Sequence, residues 1–326
     1  MPIRWGILGT GKIAGKFAQA LPLVPDAELV AVGSRSVETA RRFAAANGVS
    51  RAYGSYEELA RDPEVDVVYV ATPHVLHAEN TLLCLEAGKP VLCEKPFTLN
   101  AAEARQVIAF ARERGLYVME AMWMRFIPLV RRFRELVEEG AIGEPLLLHA
   151  DFGFRADFPP EHRLYDPRLG GGALLDLGVY PIHLAYMVWG KPDTVSGVAH
   201  LGPTGVDEQG GMVLGYAGGH MAVLSTSTRV DTPVEATLMG AAGRMRLHRR
   251  FHHATRLTIT TEAGEQSIEM PFTGNGLQYE ALEVMRCLKE GRTESDIMPL
   301  DETLSIMETL DALRSMWGLR YPGESI

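Results

Sequence analysis

Over its first 120 residues the chain alternates short, wholly apolar runs with segments of helical period, and this alternation leaves few folds open. "IRWGILG" (3–9) precedes "GKIAGKFAQALPLV" (11–24), and "ELVAVGS" (28–34) precedes "SVETARRFAAANG" (36–48). "SYEELARDPEVDVVYVATP" (55–73) gives a short helix, a turn at Pro63 and a further strand. "HAENTLLCLEAGK" (77–89) feeds "VLCEK", and "NAAEARQVIAFARERG" (100–115) feeds "LYVMEAM" (116–122). Strands without a polar face need cover on both sides, and crossover helices between parallel strands supply it. The pattern predicts an α/β fold whose first domain, residues 1–122, is a Rossmann-type doubly wound parallel sheet. Ser36 and Asn100 are the expected helix caps and Gly48 an expected stop.

After residue 123 the rhythm changes. One more helix, "PLVRRFRELVEEGAIG" (128–143), is followed by strand-like runs at 144–154, 194–202, 210–219, 219–230, 234–243, 243–249 and 256–264. Several are joined by glycine-rich turns of the kind antiparallel meanders use. The stretches 276–291 and 300–318 return to helix. Residues 123–326 are therefore expected to form an α+β domain, an open antiparallel sheet with helices on one face.

A formal charge of -9 and the absence of a basic, aromatic-interleaved run argue against nucleic acid or an anionic membrane as partner. Cys84, Cys93 and Cys287 form no CxxC pair, which suits a reducing compartment. No leader pattern opens the sequence and no apolar run approaches spanning length, so the expectation is a cytoplasmic protein.

Gly9-x-Gly11-x-x-Ala14 stands after a strand and before a helix, where glycines permit a tight turn and close approach of a pyrophosphate to the helix N-terminus. Thr10, Lys12 and Ile13 belong to the same loop. If the ribose 2′-hydroxyl of NAD were bound, the next strand should end in Asp or Glu. It ends instead in Gly33-Ser34-Arg35-Ser36, a guanidinium and two hydroxyls suited to a 2′-phosphate, so NADP is expected ahead of NAD. Thr72, Pro73 and His74 close the following strand at the same edge; His77 begins the next helix, as a cap or exposed residue ahead of a ligand, though within reach of a ribose. Glu94 and Lys95 close the strand after that, which puts the lysine on the cofactor edge.

A second constellation lies in "RLGGGALLDLGVYPIHLAYMVWG" (168–190). Asp176 and Tyr180 are four apart and share a face if the segment is helical, three glycines precede them, and Pro181 implies a kink or a start nearby. An N-cap aspartate with a core tyrosine is the plainer reading of the same residues. Arg163, Tyr165 and Arg168 either orient substrate hydroxyls or cap the loop. His248, His252 and His253 read as a solvated basic surface, no metal is expected for want of ligand spacing, and no GxSxG appears.

Taken in order, G-x-G-x-x-A, "ATPHVLH", "EKP", "GGGALLDLGVY" and "YEALEVMRCLKEG" resemble the Gfo/Idh/MocA oxidoreductase family over nearly the whole chain. "EAMWMRFIP", Tyr180 and "GLRYPG" are similar to its dimeric dihydrodiol dehydrogenase and NADP-dependent D-xylose dehydrogenase branch. The resemblance implies a Rossmann domain followed by an open-faced sheet that often mediates dimers, hence a homo-oligomer. It further implies a catalytic Lys95, with Asp176 and Tyr180 facing it across a small-molecule substrate, and Trp123 and Arg125 toward the nicotinamide end. Many members carry histidine four residues after the aspartate, where this chain has Tyr180, and no role passes to His183.

The implied chemistry is hydride transfer between NAD(P) and a CH–OH group of a sugar, polyol or cyclic trans-diol. Tyr180 would be the general acid/base, Lys95 its electrostatic partner and a substrate-oxygen ligand, and Asp176 an anchor for a second hydroxyl. Two alternatives share the fold: a non-enzymatic NADP-binding regulator, and an NAD-dependent glycosidase using transient oxidation.

Overall fold

Apolar strands in the first part of the chain are buried on both faces, as their sequences require. In the computed structural model, which describes residues 2–324, β1 (Ile3–Leu8), β2 (Ala27–Gly33), β3 (Arg51–Tyr53), β4 (Val67–Val70), β5 (Val91–Glu94) and β6 (Val118–Ala121) form one sheet. All its pairings are parallel and the order is β3-β2-β1-β4-β5-β6, so the order reverses between β1 and β4. That reversal makes a crevice at the carboxyl ends of the strands, the usual place for a dinucleotide. The connections are α1 (Lys12–Ala20), α2 (Val37–Asn47), α3 (Tyr56–Ala60), α4 (His77–Glu86) and α5 (Ala101–Arg114). Ser36 and Asn100 cap α2 and α5 through Thr39 N–H and Glu103 N–H, and Gly48 and Gly115 stop them in the left-handed conformation. β3 was not anticipated: three half-buried residues are too few to show a period.

The second sheet has eight strands: β7 (Pro145–Gly153), β8 (Thr194–Leu201), β9 (Asp207–Gly215), β10 (Met221–Ser227), β11 (Ala236–Gly240), β12 (Gly243–Leu247), β13 (Arg256–Thr261) and β14 (Gly264–Glu269). Their order is β14-β13-β12-β11-β7-β10-β9-β8. The expected antiparallel sheet is present, with one parallel pairing in it: β7 and β10 pair over seven residues, Leu147–Gly153 against Met221–Ser227, so the sheet is mixed. Alternation shows only which face of a strand is buried; it does not name the neighbour.

One face of this sheet carries Leu148, Ala150, Met212, Leu214, Ala222, Leu224, Leu238, Met245, Leu247 and Leu257, all buried. Two helices of its own unit belong with it. α6 (Pro128–Glu138) buries Leu129, Val130, Phe133 and Leu136, a single stripe, while α7 (Val179–Trp189) is buried on every side from Val179 to Tyr186.

The chain divides into two compact units: residues 1–126 with 273–304, and 127–272 with 305–326. A single boundary after residue 122 does not express this division, because 273–304 returns to the first unit with α8 (Gln278–Lys289) and the start of α9 (Leu300–Trp317). The reason is visible in α8: Gln278, Glu280, Ala281, Val284, Met285 and Cys287 are buried. Residues 1, 325 and 326 of the expected domains lie outside the described residues. Cys84, Cys93 and Cys287 are buried and unbridged. Among the described residues no helix is long and apolar enough to cross a membrane.

Candidate active site

In the first unit the phosphate loop is built by two glycines with different tasks. Gly9 follows β1 with φ +110°, and a Cβ there would lie 2.6 Å from the Ala71 carbonyl oxygen of the neighbouring strand. Only glycine meets both conditions. Gly11 is the N-cap of α1 in extended backbone, and a Cβ on it would meet nothing within 4 Å. No side chain caps α1, so its first amide groups are left for a ligand. This cradle fits a dinucleotide pyrophosphate, with Thr10, Lys12 and Ile13 in the turn; Lys12 is exposed.

At the end of β2, Ser34 is buried and Arg35 is exposed, near enough to Tyr56 of α3 to act on its hydroxyl. Burial raises the Tyr56 pKa, and Arg35 works against that rise. The Ser36 hydroxyl is engaged three times at the start of α2, accepting from Thr39 N–H and the Thr39 hydroxyl and donating to Glu38 Oε2 at 2.8 Å.

At the end of β4, the Thr72 hydroxyl accepts from Asn80 Nδ2 at 3.1 Å and His74 is buried beside His77, with ring centroids 5.6 Å apart. His77 is not at the surface of the crevice as expected. It is fully buried, with Nδ1 2.7 Å from the Pro96 carbonyl and Nε2 2.9 Å from the Thr72 carbonyl. It ties the exits of β4 and β5 together. A cap position on a sequence cannot reveal this, because both partners lie on other segments.

At the end of β5, Glu94 is buried and accepts from the Tyr69 hydroxyl, while the Lys95 N–H donates to its Oε2 at 3.1 Å. The glutamate thus faces inward and shapes the backbone of the lysine, whose bond to Pro96 is cis. Glu120, at the same level on β6, accepts from Phe97 N–H at 3.2 Å and so holds the residue after Pro96. Trp123 is half-buried, whereas Arg125 is almost wholly buried, paired with Glu302 and donating to the Ile297 carbonyl at 3.2 Å. Arg125 therefore anchors its own unit.

In the second unit the "GGGALLD" loop enters one π-turn, Leu174–Gly178, which continues directly into α7. Pro181, which has no N–H to donate, lies within this continuous helical run, just after the π-turn. Asp176 and Tyr180 are both nearly buried, at 8 % and 6 % exposure. Arg163 donates to both Asp176 oxygens, at 3.2 and 3.3 Å, and its own side chain stays half exposed. Arg168 instead turns back on Asp166, bonding both oxygens and pulling that carboxyl below its ordinary range. The Tyr165 hydroxyl donates to the Ala156 carbonyl at 2.9 Å, which makes it a loop tie.

The glycines of this loop are needed by the protein itself. A Cβ on Gly171 would lie 2.7 Å from the Arg163 and Leu164 carbonyls, and one on Gly172 would collide with Asp207 Oδ1.

One residue read as solvated surface belongs beside Tyr180. The His252 ring stacks on Phe152 at 4.5 Å and lies 5.2 Å from the Tyr180 ring, with Phe152 and Tyr180 5.3 Å apart. The basic run "RLHRRFHH" (246–253) hides this; Phe251, fully buried within it, is the signal that the turn folds inward.

Residues 3–122 match the oxidoreductase family with NAD-binding Rossmann fold, and residues 130–246 match the GFO/IDH/MocA C-terminal domain. The chain belongs to the Gfo/Idh/MocA oxidoreductase family. It is 39% identical over 334 residues to trans-1,2-dihydrobenzene-1,2-diol dehydrogenase of Mus musculus, covering 99% of each chain. The Xenopus tropicalis enzyme of that name is 37% identical, over 99% of this chain and 100% of its own. Among solved structures, the 3-ketoreductase KijD10 from Actinomadura kijaniata, in complex with NADP and TDP-benzene, is 30% identical with a TM-score of 0.85, covering 97% of this chain and 98% of its own. As a member of this family the chain is an NAD(P)-dependent oxidoreductase acting on a CH–OH group.

Proposed function

We propose that this family member oxidises a secondary alcohol of a cyclic trans-diol with NADP, Tyr180 acting as general acid/base. The observation that carries the reading is the setting of Tyr180: its ring is packed against Phe152 and His252, four residues after an aspartate that Arg163 neutralises. A flat ring substrate suits aromatic neighbours, and a diol suits a carboxylate that can accept a second hydroxyl. The full-length relatives named for a trans-diol support the same class, and the NADP-bound ketoreductase supports the cofactor.

When bound, the nicotinamide accepts or returns the hydride. The chain's own groups do the rest. Gly9, Thr10, Gly11, Lys12 and Ile13 hold the pyrophosphate, Ser34, Arg35 and Ser36 read the 2′-phosphate, and Thr72, Pro73, His74 and Glu94 line the strand ends, with Trp123 toward the nicotinamide. Tyr180 takes the alcohol proton, although a phenol with an ordinary pKa of ~10 needs positive charge to do so at neutral pH. Lys95 supplies that charge and steadies the substrate oxygen. Asp176 orients the second hydroxyl and Arg163 holds Asp176.

Tyr180→Phe and Lys95→Met are each expected to lower kcat by about 10²–10⁴-fold while NADP affinity stays unchanged. Near-normal turnover in either variant, with cyclic diols, aldoses and inositols all tried, would sink these roles.

The finer assembly and location follow the same way. A homodimer through the open face of the eight-stranded sheet is supported by Val198, Met221 and Val223, exposed by 77 %, 40 % and 38 %. Val223→Arg should yield a monomer in sedimentation velocity. Buried free thiols at Cys84, Cys93 and Cys287 suit the cytoplasm.

A further inference from the structure

Asp207 begins β9, opposite Leu201 at an irregularity in the β8–β9 register. It is fully buried, and no alcohol or proton transfer requires it. Its Oδ2 accepts from Leu174 N–H at 2.6 Å, at the first residue of the π-turn that carries Asp176. The Ala173 amide favours the charged form of the same carboxyl. Its Oδ1 has no hydrogen-bond partner among the described residues and fills the space where a Gly172 side chain would be. Around it the loop is pinned on each side. The Tyr321 hydroxyl donates to the Gly171 carbonyl at 2.5 Å, Gly172 N–H to the Leu164 carbonyl at 2.8 Å, and Thr226 Oγ1 to the Ala173 carbonyl at 3.3 Å.

We propose that Asp207 is a positioning residue, the fixed post to which the glycine loop and the π-turn are tied so that Asp176 and Tyr180 keep their working orientation. This rests on the roles given above to Asp176 and Tyr180. A buried carboxyl is a costly anchor, and nothing in packing alone calls for one; a residue as small and apolar as alanine would spare Gly172 its collision. What the carboxyl adds is a rigid acceptor for backbone amides that start a helix with no side-chain cap.

The charged and titratable groups facing it are Arg314 of α9, itself held by Asp311 and Glu324, and Tyr321 of the C-terminal segment. Burial outweighs these and the amide contacts, pushing the carboxyl up to about 7. In the unfolded chain it ionises near the ordinary 3.8. The folded state therefore binds the extra proton, and the stability that Asp207 contributes falls as pH rises from about 4 to about 7.

Four measurements on the full chain decide the proposal: turnover, NADP affinity, amide exchange over residues 170–180, and Tm as a function of pH. Asp207→Ala should lower kcat by about ten-fold or more, leave the NADP Kd within about two-fold, and speed exchange at Ala173 and Leu174. Asp207→Asn keeps an acceptor oxygen and should restore kcat to within about three-fold of the parent. It should also remove the fall in Tm between pH 5 and about 7 that the parent shows. Unchanged kcat or unchanged exchange in Asp207→Ala overturns the proposal. Should that variant fail to fold, a parent-like pH slope in Asp207→Asn, or kcat as low as that of a misfolded control, overturns it equally. If Tyr180→Phe proves fully active, the reading of the chemistry fails, while the exchange result still decides whether Asp207 anchors the loop.

Discussion

Arg163 holds Asp176 with both terminal nitrogens, 3.2 and 3.3 Å from the two carboxylate oxygens. The arginine is half exposed and the aspartate nearly buried, so the pair presents a carboxylate whose charge is balanced before substrate arrives. Removing the guanidinium takes away the two-pronged contact that orients the Asp176 carboxylate. Arg163→Ala should lower kcat/KM about ten- to hundred-fold, mainly through KM, because what is lost is substrate orientation. Stability should change by less than about 1 kcal/mol, since solvent screens the pair. Arg163→Lys, a point charge in place of a fork, should recover only part of the loss. Steady-state kinetics beside thermal melts check both halves.

Arg35 stands at the exit of β2 with Tyr56 against it, the one cation at a position where an acidic residue would select NAD. Arg35→Asp should lower the NADP/NAD ratio of kcat/KM by about ten-fold or more, since it exchanges attraction for repulsion of a 2′-phosphate. An unchanged ratio would show that the phosphate is read elsewhere. The Ser36 hydroxyl, committed to Thr39 and Glu38, should matter less, and Ser36→Ala should cost about 1 kcal/mol of stability from the lost cap.

The two glycines of the phosphate loop separate folding from binding. Gly9→Ala meets both a positive φ and the Ala71 carbonyl, and should destabilise by about 3 kcal/mol or more. Gly11→Ala adds a methyl group in open space at an ordinary φ, so its Tm should match the parent within about 0.5 kcal/mol equivalent. Its NADP Kd should nevertheless rise by about ten-fold, because the methyl stands where the pyrophosphate approaches. Melts and cofactor titration on the two variants give opposite signatures.

The alternation of apolar strands and helices made the first sheet readable, since a strand buried on both faces leaves no other arrangement. It also put Lys95 at the carboxyl edge of that sheet by strand order alone. What stayed hidden depends on contacts between distant segments. The parallel pairing of β7 with β10 leaves no trace in either strand's period. His77 bridges two carbonyls on other segments, and His252 reaches Tyr180 only because Phe251 draws its turn inward. The return of 273–304 to the first unit likewise rests on α8 burying Glu280, which reads as a helix-surface residue. Arg163 and Arg168 look alike in sequence; the folded loop gives one to Asp176 and the other to Asp166.

Glu280 gives the clearest pH prediction. It lies on α8, fully buried, and neither carboxyl oxygen finds a hydrogen bond among the described residues. Burial raises its pKa well above the usual glutamate value, and the nearby Glu94 carboxylate adds to the rise. Tyr69, also fully buried, donates a hydrogen bond from its hydroxyl to Glu94, so that acid has a donor, and among the described residues Glu280 has none. The folded protein therefore keeps Glu280 protonated at pH values where the unfolded chain has already ionised it. Its contribution to stability is complete below the ordinary glutamate range and is lost as pH rises toward the raised folded value. Glu280→Met fills the same space without a titrating group. It should be near neutral at acid pH and stabilising by about 1–3 kcal/mol at the alkaline end, flattening the Tm–pH curve there. Denaturant melts at several pH values, parent beside variant, would show whether the two curves diverge as pH rises; parallel curves would mean Glu280 is not the group that titrates.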